Sequence, residues 1–324
     1  MASPLRVLRR RVLTPGESNV RLDVRGFHVK EPASRDLLET IGRTFLAGYA
    51  SAAEARVPRD AEEPLERIPT RFRGFGYEGA AMGFAVRDGL PGPHRHHVDG
   101  FLAGRADAHV YMAYVGIGWA MARLPRLRWS RLSAPDPLLR WLVLDGYGFH
   151  QAYFRTRRYV HEQFREPRFP WPAGGPRWYA DRVIDQGIGR AMWFVGGADA
   201  ARVAALLDGF APERRADLYA GAGLAATYAG GADESELEWF REHAGRYAAQ
   251  LAQGSAFAAG ARVRAGLVVP HTGTATRVFC GLDPAQAARV TDEALPDPSR
   301  PGEVPAYEVW RQRIAEQITS VGRR

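Results

Sequence analysis

The sequence has little cysteine and no long apolar run. Cys280 is the single cysteine among 324 residues, which excludes a disulfide framework and a cysteine-based metal cage. No window of about 18 residues is apolar and free of charge, which argues against a membrane span. The first residues, MASPLRVLRRRVLTPGE, are basic but lack the apolar core and cleavage site of a signal peptide. We therefore expect a cytoplasmic protein.

Lysine is also almost absent. Lysine and arginine together number 44 against 36 acidic residues, a net charge of +8, and Lys30 is the only lysine. Such an arginine bias is more typical of a GC-rich genome than of a nucleic-acid surface. The aromatic residues lie within helical patterns and not in basic stacking platforms. We expect no nucleic-acid partner.

A glycine-centred phrase recurs along the chain. Each copy has an anchor glycine among small and large apolar residues. The anchors are Gly48, Gly79, Gly116, Gly146, Gly187, Gly221 and Gly254. Their mean spacing of about 34 residues is the length of two short antiparallel helices with their turns.

The position two residues after each anchor, here called +2, is always small. Its occupants are Ala50, Ala81, Gly118, Gly148, Gly189, Gly223 and Ala256. Small residues on a helix let a neighbouring helix approach closely, despite the low helix propensity of glycine. The pattern predicts that each phrase is the second, buried helix of a hairpin. The expected fold is all-α, an array of about seven helical hairpins forming a tetratricopeptide-like solenoid or an α/α toroid.

The array is expected to have a distinct segment at either end. We assign residues 1–30 to a basic helix and an extended segment, 31–282 to the helical-repeat domain, and 283–324 to a linker and a capping helix. The alternation in RLDVRGFHV, residues 21–29, predicts the extended segment. The last helix presents an apolar face formed by Val309, Ile314 and Ile318.

The basic helix at the N-terminus combines Leu5, Leu8 and Val12 with several arginines. It is expected to pack on the first repeat. A contact with an anionic surface or a partner is the alternative.

Candidate site residues depart from their own repeat. The residue before the anchor is polar in four copies, and Arg190 stands three residues after its anchor, where most other copies are apolar. Because stacked helices place equivalent positions side by side, these residues are expected to line a substrate-binding groove. The predicted groove consists of Glu78, Trp119, Phe149, Gln186, Arg190 and Gln253.

A buried network between successive repeats is the alternative interpretation of these polar residues. In that case Asp145 or Glu78 would neutralise Arg190 or Arg73. The two interpretations differ in whether the polar groups converge on a pocket or pair with one another.

His150 occupies a position where every other copy has alanine or glycine. Imidazole transfers protons near neutral pH, and Asp145 is a suitable partner, so His150 and Asp145 are the candidate catalytic residues. A hydrogen-bonded core histidine is the alternative.

Metal and cofactor motifs are weak. His94, His96, His97 and Asp99 could gather a zinc ion, but histidines bunched in a loop are more often solvated, and we predict no metal site. Gly221-Ala-Gly-Leu-Ala-Ala fits the dinucleotide fingerprint, yet no strand is expected before it. The cofactor, if any, stays undetermined.

Several longer phrases closely resemble the DUF1702 family. They include RGFHVKEPASRDLLETIGRTFLAGY, RFRGFGYEGAAMGFAVRDGL, LVLDGYGFHQAYF and DQGIGRAMWFVGG, and the resemblance covers nearly the whole chain. Members accompany enediyne polyketide synthases in actinomycete gene clusters as accessory proteins of unknown function. The resemblance implies a role in building or tailoring this antibiotic core, and it supplies no catalytic residue.

The expected function follows from the fold and the resemblance together. The protein would be an accessory protein that binds a polyene or enediyne intermediate, or another enediyne biosynthetic protein, on its helical-repeat surface. The alternative is a cofactor-independent enzyme that acts on the polyene precursor by acid/base chemistry.

Overall fold

A computed structural model describes residues 4–92, 95–171, 173–297 and 303–321. Within these ranges the regular structure is helical and no strand occurs. The predicted all-α class is confirmed. None of the described helices is both long enough and apolar enough to cross a lipid bilayer.

The helices are numbered in chain order. The first eight are α1 Pro4–Leu13, α2 Leu22–Arg25, α3 Pro32–Glu54, α4 Glu62–Glu66, α5 Thr70–Gly89, α6 His97–Leu102, α7 Val110–Arg123 and α8 Leu142–Phe154. The next eight are α9 Arg177–Val195, α10 Ala200–Asp208, α11 Pro212–Ala229, α12 Glu234–Ala244, α13 Ala248–Arg264, α14 Pro270–Cys280, α15 Pro284–Glu293 and α16 Ala306–Val321. Short 3₁₀ turns occur at Glu17–Val20, Pro58–Ala61, Arg105–His109, Arg126–Arg131, Leu139–Trp141 and Gly245–Tyr247, and a π-helical turn at Arg157–His161.

Contacts divide the chain into two compact units. The first contains residues 1–26 and 39–147, and the second contains 27–38 and 148–324. The chain passes between them after Gly26, which follows α2, within α3 and within α8. The predicted partition at residues 30 and 282 follows the repeat pattern and stays a prediction.

Every anchor glycine lies inside a long helix. These anchor helices are α3, α5, α7, α8, α9, α11 and α13. Most of them are extensively buried, and every residue of α5 from Gly74 to Gly89 is buried, whereas α3 keeps one exposed face. The shorter helices α4, α6, α10 and α12 each precede an anchor helix, whereas 3₁₀ or π-helical turns and loops precede α8 and α9. The helical-repeat array is confirmed, and the number of complete repeats stays a prediction.

Anchor helices in the second unit cross where two small residues allow backbone contact. A Cβ atom on Gly221 of α11 would lie 1.9 Å from the carbonyl oxygen of Gln186 in α9. A Cβ atom on Gly223, the +2 position of α11, would lie 2.1 Å from the carbonyl oxygen of Leu251 in α13. Real Cβ atoms do not approach oxygen so closely, so glycine is required at both positions.

The first unit repeats the same register. The Cβ position of Gly116 in α7 lies 2.2 Å from the carbonyl oxygen of Glu78 in α5, and that of Gly118 lies 2.0 Å from the carbonyl oxygen of Val143 in α8. In these helices the anchor faces the preceding helix and +2 faces the following one, whereas Gly48 of α3, the first anchor helix, faces α5. Two residues correspond to a rotation of about 200° around a helix. Within each unit the anchor helices consequently continue as a row.

The segment predicted to be extended at residues 21–29 is wrong in part, because Leu22–Arg25 forms helix α2. Leu22 is buried, and its backbone N–H donates to the Glu39 carboxylate at 3.1 Å. Gly26 ends the helix with φ 69°, in the left-handed region. Alternation over so few residues does not separate a strand from one helical turn.

The predicted C-terminal linker also begins with a helix. Asp283 and Gln286 form a capping box at the start of α15, which fixes the first turn of that helix. The final helix, α16, packs against α13 and α15 and buries Tyr307, Trp310 and Ile314. Helix α16 therefore buries large aromatic side chains in the second unit and is more than a terminal cap.

Candidate functional site

The predicted site residues of the first unit are all buried. Glu78 lies on α5, Trp119 on α7 and Asp145 on α8, and Asp145 is completely inaccessible to solvent. The indole of Trp119 packs against Phe45 of α3, with ring centroids 4.5 Å apart. The backbone carbonyl of Glu78 forms part of the crossing between α5 and α7. These positions thus lie inside the helix packing of the unit.

The two candidate catalytic residues, Asp145 and His150, lie on the same helix. Both are buried, and the His150 imidazole packs on Phe154 with ring centroids 4.6 Å apart. Five residues correspond to a rotation of about 140° around a helix. The two side chains therefore leave α8 in different directions.

Phe149 and Arg190 are brought together in the second unit. The Arg190 guanidinium carbon lies 5.2 Å from the centroid of the Phe149 ring, an arrangement that permits a cation–π interaction. The Phe149 ring also stacks with Tyr153 and meets the edge of Phe194. Two residues of the predicted groove are thus in contact within an aromatic cluster, and their role in binding a substrate stays a prediction.

The two predicted glutamines of the second unit both contact α16. Gln186 Nε2 donates to the Tyr307 hydroxyl at 3.1 Å. Arg311 Nε donates to Gln253 Oε1 at 3.3 Å. Tyr307 and Arg311 are one turn apart on α16. The C-terminal helix thus connects equivalent polar positions of α9 and α13.

A group of charges, buried except for the partly exposed Arg182, lies beside these glutamines. We call it the α16 charge cluster, and it consists of Arg182, Asp217, Glu308 and Arg311. Arg182 reaches both acids, with Nε 2.9 Å from Asp217 and Nη1 2.8 Å from Glu308. Arg311 does the same, at 2.8 Å from Asp217 and 3.3 Å from Glu308. Two cations face two carboxylates, so the formal charges cancel.

The environment keeps the Arg311 guanidinium charged. Burial by itself would lower the pKa of Arg311, but the adjacent Asp217 and the Tyr179 hydroxyl are among the groups that raise it well above its usual value. Burial also raises the pKa of Tyr179, whose hydroxyl donates to Glu308 at 3.0 Å. Neither Arg311 nor Tyr179 is therefore set to exchange a proton near neutral pH. The geometry is that of an ionic link between α9, α11 and α16.

A second ionic group ties the segment before α9 to the same helices. Asp185 accepts from Arg214 at 2.6 and 3.0 Å and from Arg165 at 2.7 Å. Burial raises the pKa of Asp185, and the two arginines oppose that shift. Arg214 also donates to the carbonyl oxygen of Gln163 at 2.7 Å. The loop at residues 163–165 is thereby fixed to α9 and α11.

The sequence analysis missed a buried hydrogen-bonded chain in the first unit. His97 Nδ1 lies 2.5 Å from Asp88, and His97 Nε2 lies 2.8 Å from the Arg87 guanidinium. Because a guanidinium only donates, Nε2 accepts from Arg87 and Nδ1–H donates to Asp88. Arg87 also donates to the carbonyls of Ala52 and Ala55 at the end of α3.

The hydrogen-bonded chain explains the surroundings of Arg87 and the role of Asp88. Burial lowers the pKa of Arg87 to about 10. Asp88 accepts from the backbone N–H groups of His97 and Val98 and thus begins α6. His97 is therefore a structural link between α5 and α6. In the sequence, the only signal for such a chain was the charged pair Arg87-Asp88 at the end of a largely apolar helix pattern.

The structure places no metal site among the histidines that it describes. Within the described ranges no group of three His, Cys, Asp or Glu side chains is arranged to hold a metal ion. His96 pairs with Asp99 at 2.9 Å. His94 lies outside the described residues.

A cavity of about 550 Å³ opens in the first unit at the C-terminal end of α3. Its charged lining consists of Arg6 and Arg10 of α1, Arg56, Glu54 and Asp60. Arg10 pairs with Glu54 at 2.8 Å. In the part of the chain that the structure describes, no carboxylate pairs with the guanidinium of Arg6 or Arg56. Three arginines against two carboxylates leave the lining with a formal charge of +1.

Comparison with protein-family models decides the family. The model described as "Protein of unknown function (DUF1702)" matches residues 4–318. The chain belongs to the DUF1702 family. Comparison with curated proteins and with solved structures finds no match.

The DUF1702 match extends from α1 into α16. The cavity arginines and the α16 charge cluster therefore both lie within the region that the family model describes. The DUF1702 description itself assigns no activity.

Proposed function

We propose that this DUF1702 chain is an accessory protein of enediyne biosynthesis that acts by binding. It holds a polyene intermediate or a partner biosynthetic enzyme on its helical-repeat surface, in the cytoplasm of an actinomycete. The pathway is supported by the likeness of phrases such as LVLDGYGFHQAYF to family members that accompany enediyne synthases.

One observation carries the choice of binding over catalysis. Gln186 and Gln253, two of the candidate substrate-binding residues, are hydrogen-bonded to Tyr307 and Arg311 of α16. Polar groups that pair with each other stabilise helix packing and leave few donors for a reacting molecule. This pairing favours a rigid binding scaffold over a converging active site.

A cofactor-independent enzyme is the second candidate. His150 is buried against Phe154 and shares α8 with the buried Asp145. A buried imidazole is suited to moving a proton in polyene or carbonyl chemistry.

The pathway is tested by deleting the gene in an enediyne-producing actinomycete and measuring the product by mass spectrometry. We expect production to fall and to return when the gene is restored. Unchanged production after deletion would reject the enediyne role. Mass spectrometry of small molecules that co-purify with the protein from this host would identify a bound polyene.

The choice between binding and catalysis is tested by complementing the deletion with His150→Gln and Asp145→Asn. These substitutions keep the side-chain size, and an immunoblot controls for protein level. A binding scaffold predicts nearly normal production. Loss of a general acid or base predicts a decrease of about 100-fold or more. A decrease of that size at normal protein level would establish the enzyme reading and contradict ours.

A further inference from the structure

The N-terminal helix α1 exposes most of its apolar side chains. Leu5, Leu8 and Val12 have exposed fractions of 76%, 56% and 72%, and Val7 is also exposed. No residue of α1 is buried. Positions 5, 8 and 12 follow the spacing of one helical face. This face is therefore an apolar surface open to solvent.

Arginines attach α1 to the first unit. Arg9 donates through Nε to the carbonyl of Ala53 and through Nη2 to that of Ala55 at 2.6 Å. Arg10 pairs with Glu54 at 2.8 Å. The polar contacts of α1 thus point to the protein and its apolar face points away. This is the reverse of an ordinary amphipathic surface helix, which turns its apolar face to the core.

Positive charge surrounds the apolar face. The sequence of α1, PLRVLRRRVL, contains four arginines and no acidic residue. Arg6 and Arg10 continue from the helix into the cavity, where Arg56 joins them. Burial, Arg95 and Arg6 together lower the pKa of Arg9, as expected where cations are close and incompletely neutralised. A partner for this surface must be both anionic and apolar.

We propose that α1 docks the protein on an anionic phospholipid bilayer. Leu5, Leu8 and Val12 enter the interfacial region, and Arg6 and Arg56 bind lipid phosphates at the cavity. A bilayer surface places phosphate beside hydrocarbon and so complements both parts of the surface. A helix of ten residues is too short to span the membrane, so α1 lies in the plane of the interface. This inference does not depend on the proposed biosynthetic role.

Co-sedimentation of the full-length protein with vesicles tests the proposal. One set contains phosphatidylglycerol and phosphatidylcholine, and the other contains phosphatidylcholine alone. We expect binding to the first set only, and weaker binding as ionic strength rises. Leu5→Asn and Leu8→Asn should each weaken binding about tenfold. Arg6→Gln and Arg56→Gln should each weaken it about fivefold.

Val268→Asn is the matched control, because Val268 is an exposed apolar residue of the second unit. It should leave vesicle binding unchanged, and circular dichroism should be the same for all variants since none of the substituted side chains is buried. Failure to bind phosphatidylglycerol vesicles would overturn the proposal. So would equal weakening by Val268→Asn. Binding to polyglutamate instead of vesicles, with the same dependence on Leu5 and Arg6, would assign the surface to an acidic protein.

Discussion

The two terminal helices, α1 and α16, use arginine in opposite ways. In α16 the Arg311 guanidinium is buried and meets carboxylates from two helices. In α1 the arginines bind mostly backbone carbonyls at the end of α3, and the apolar residues remain exposed. Carboxylates supplied by the fold offset the cost of burying the Arg311 cation. The presence of those partners makes α16 part of the core, and their scarcity leaves α1 available for another surface.

The largest expected effect tests the structural role of α16. Arg311→Ala leaves Asp217 and Glu308 with only Arg182, and so buries an uncompensated negative charge. We expect the free energy of unfolding to decrease by about 3–5 kcal/mol, measured by urea unfolding. Arg313→Ala is the control, since Arg313 is exposed on the same helix. If Arg311→Ala lowered the free energy of unfolding as little as Arg313→Ala does, the cluster would add no stability.

The second prediction contrasts the charged cluster with a neutral buried group in the first unit. Burial lowers the pKa of His109 to about 4, and its imidazole stacks on Tyr77 at 3.8 Å. In the unfolded chain His109 binds a proton near pH 6.5, whereas in the folded chain it binds one only near pH 4. The free energy of unfolding should therefore decrease as the pH falls from about 6.5 to about 4, by up to about 1.4 kcal/mol per pH unit.

Urea unfolding across this pH range measures that slope, and His109→Phe provides the comparison because it retains an aromatic ring against Tyr77. The variant should lose less stability on acidification than the original chain. Identical slopes for the two proteins would show that His109 is not kept neutral by the fold.

The close helix crossing at an anchor glycine, which both units share, gives the third prediction. Gly221→Ala would place Cβ 1.9 Å from the carbonyl oxygen of Gln186, so α9 and α11 must separate. We expect a loss of about 2–3 kcal/mol in the free energy of unfolding. Gly273→Ala is the matched control, because the nearest atom to its Cβ is the end of the Arg277 side chain at 3.4 Å. That variant should gain up to about 1 kcal/mol from helix propensity. A tolerated Gly221→Ala would contradict the close crossing.

The smallest effect belongs to α1. Arg10→Ala removes an ion pair with Glu54 in which the arginine side chain is largely exposed, and such pairs contribute little. We expect a change of about 0.5 kcal/mol or less in the free energy of unfolding, from the same urea measurement. A loss comparable to that of Arg311→Ala would remove the distinction between the two terminal helices.

The sequence predicted the anchor helices well because their signal is local. Glycine at positions such as 221 and 223 has a physical reason that depends only on helix geometry and close approach. The polar positions Gln186 and Gln253 were also recognised as unusual. Their partners on α16 were not, because Tyr307 and Arg311 are remote in sequence and no repeat relates them to the anchor helices.

Two other features required the folded structure. The chain of Arg87, Asp88 and His97 depends on the path of the loop between α5 and α6, which local patterns do not determine. The alternation at residues 21–29 was misinterpreted because one buried leucine and one exposed valine also fit a single helical turn. The proposed roles of His150 and Asp145 stay predictions, since burial on one helix is compatible with either interpretation.

In α11 the glycine that meets α9 and the glycine that meets α13 are two residues apart. This offset limits how such a chain can change in length. One residue inserted between Gly221 and Gly223 would swing the second contact by about 100°, away from α13. A complete helical hairpin could be gained or lost without disturbing the offset in its neighbours. Length variation in homologous chains should therefore occur as whole hairpins or within connecting loops, and single-residue insertions should be excluded from the anchor helices.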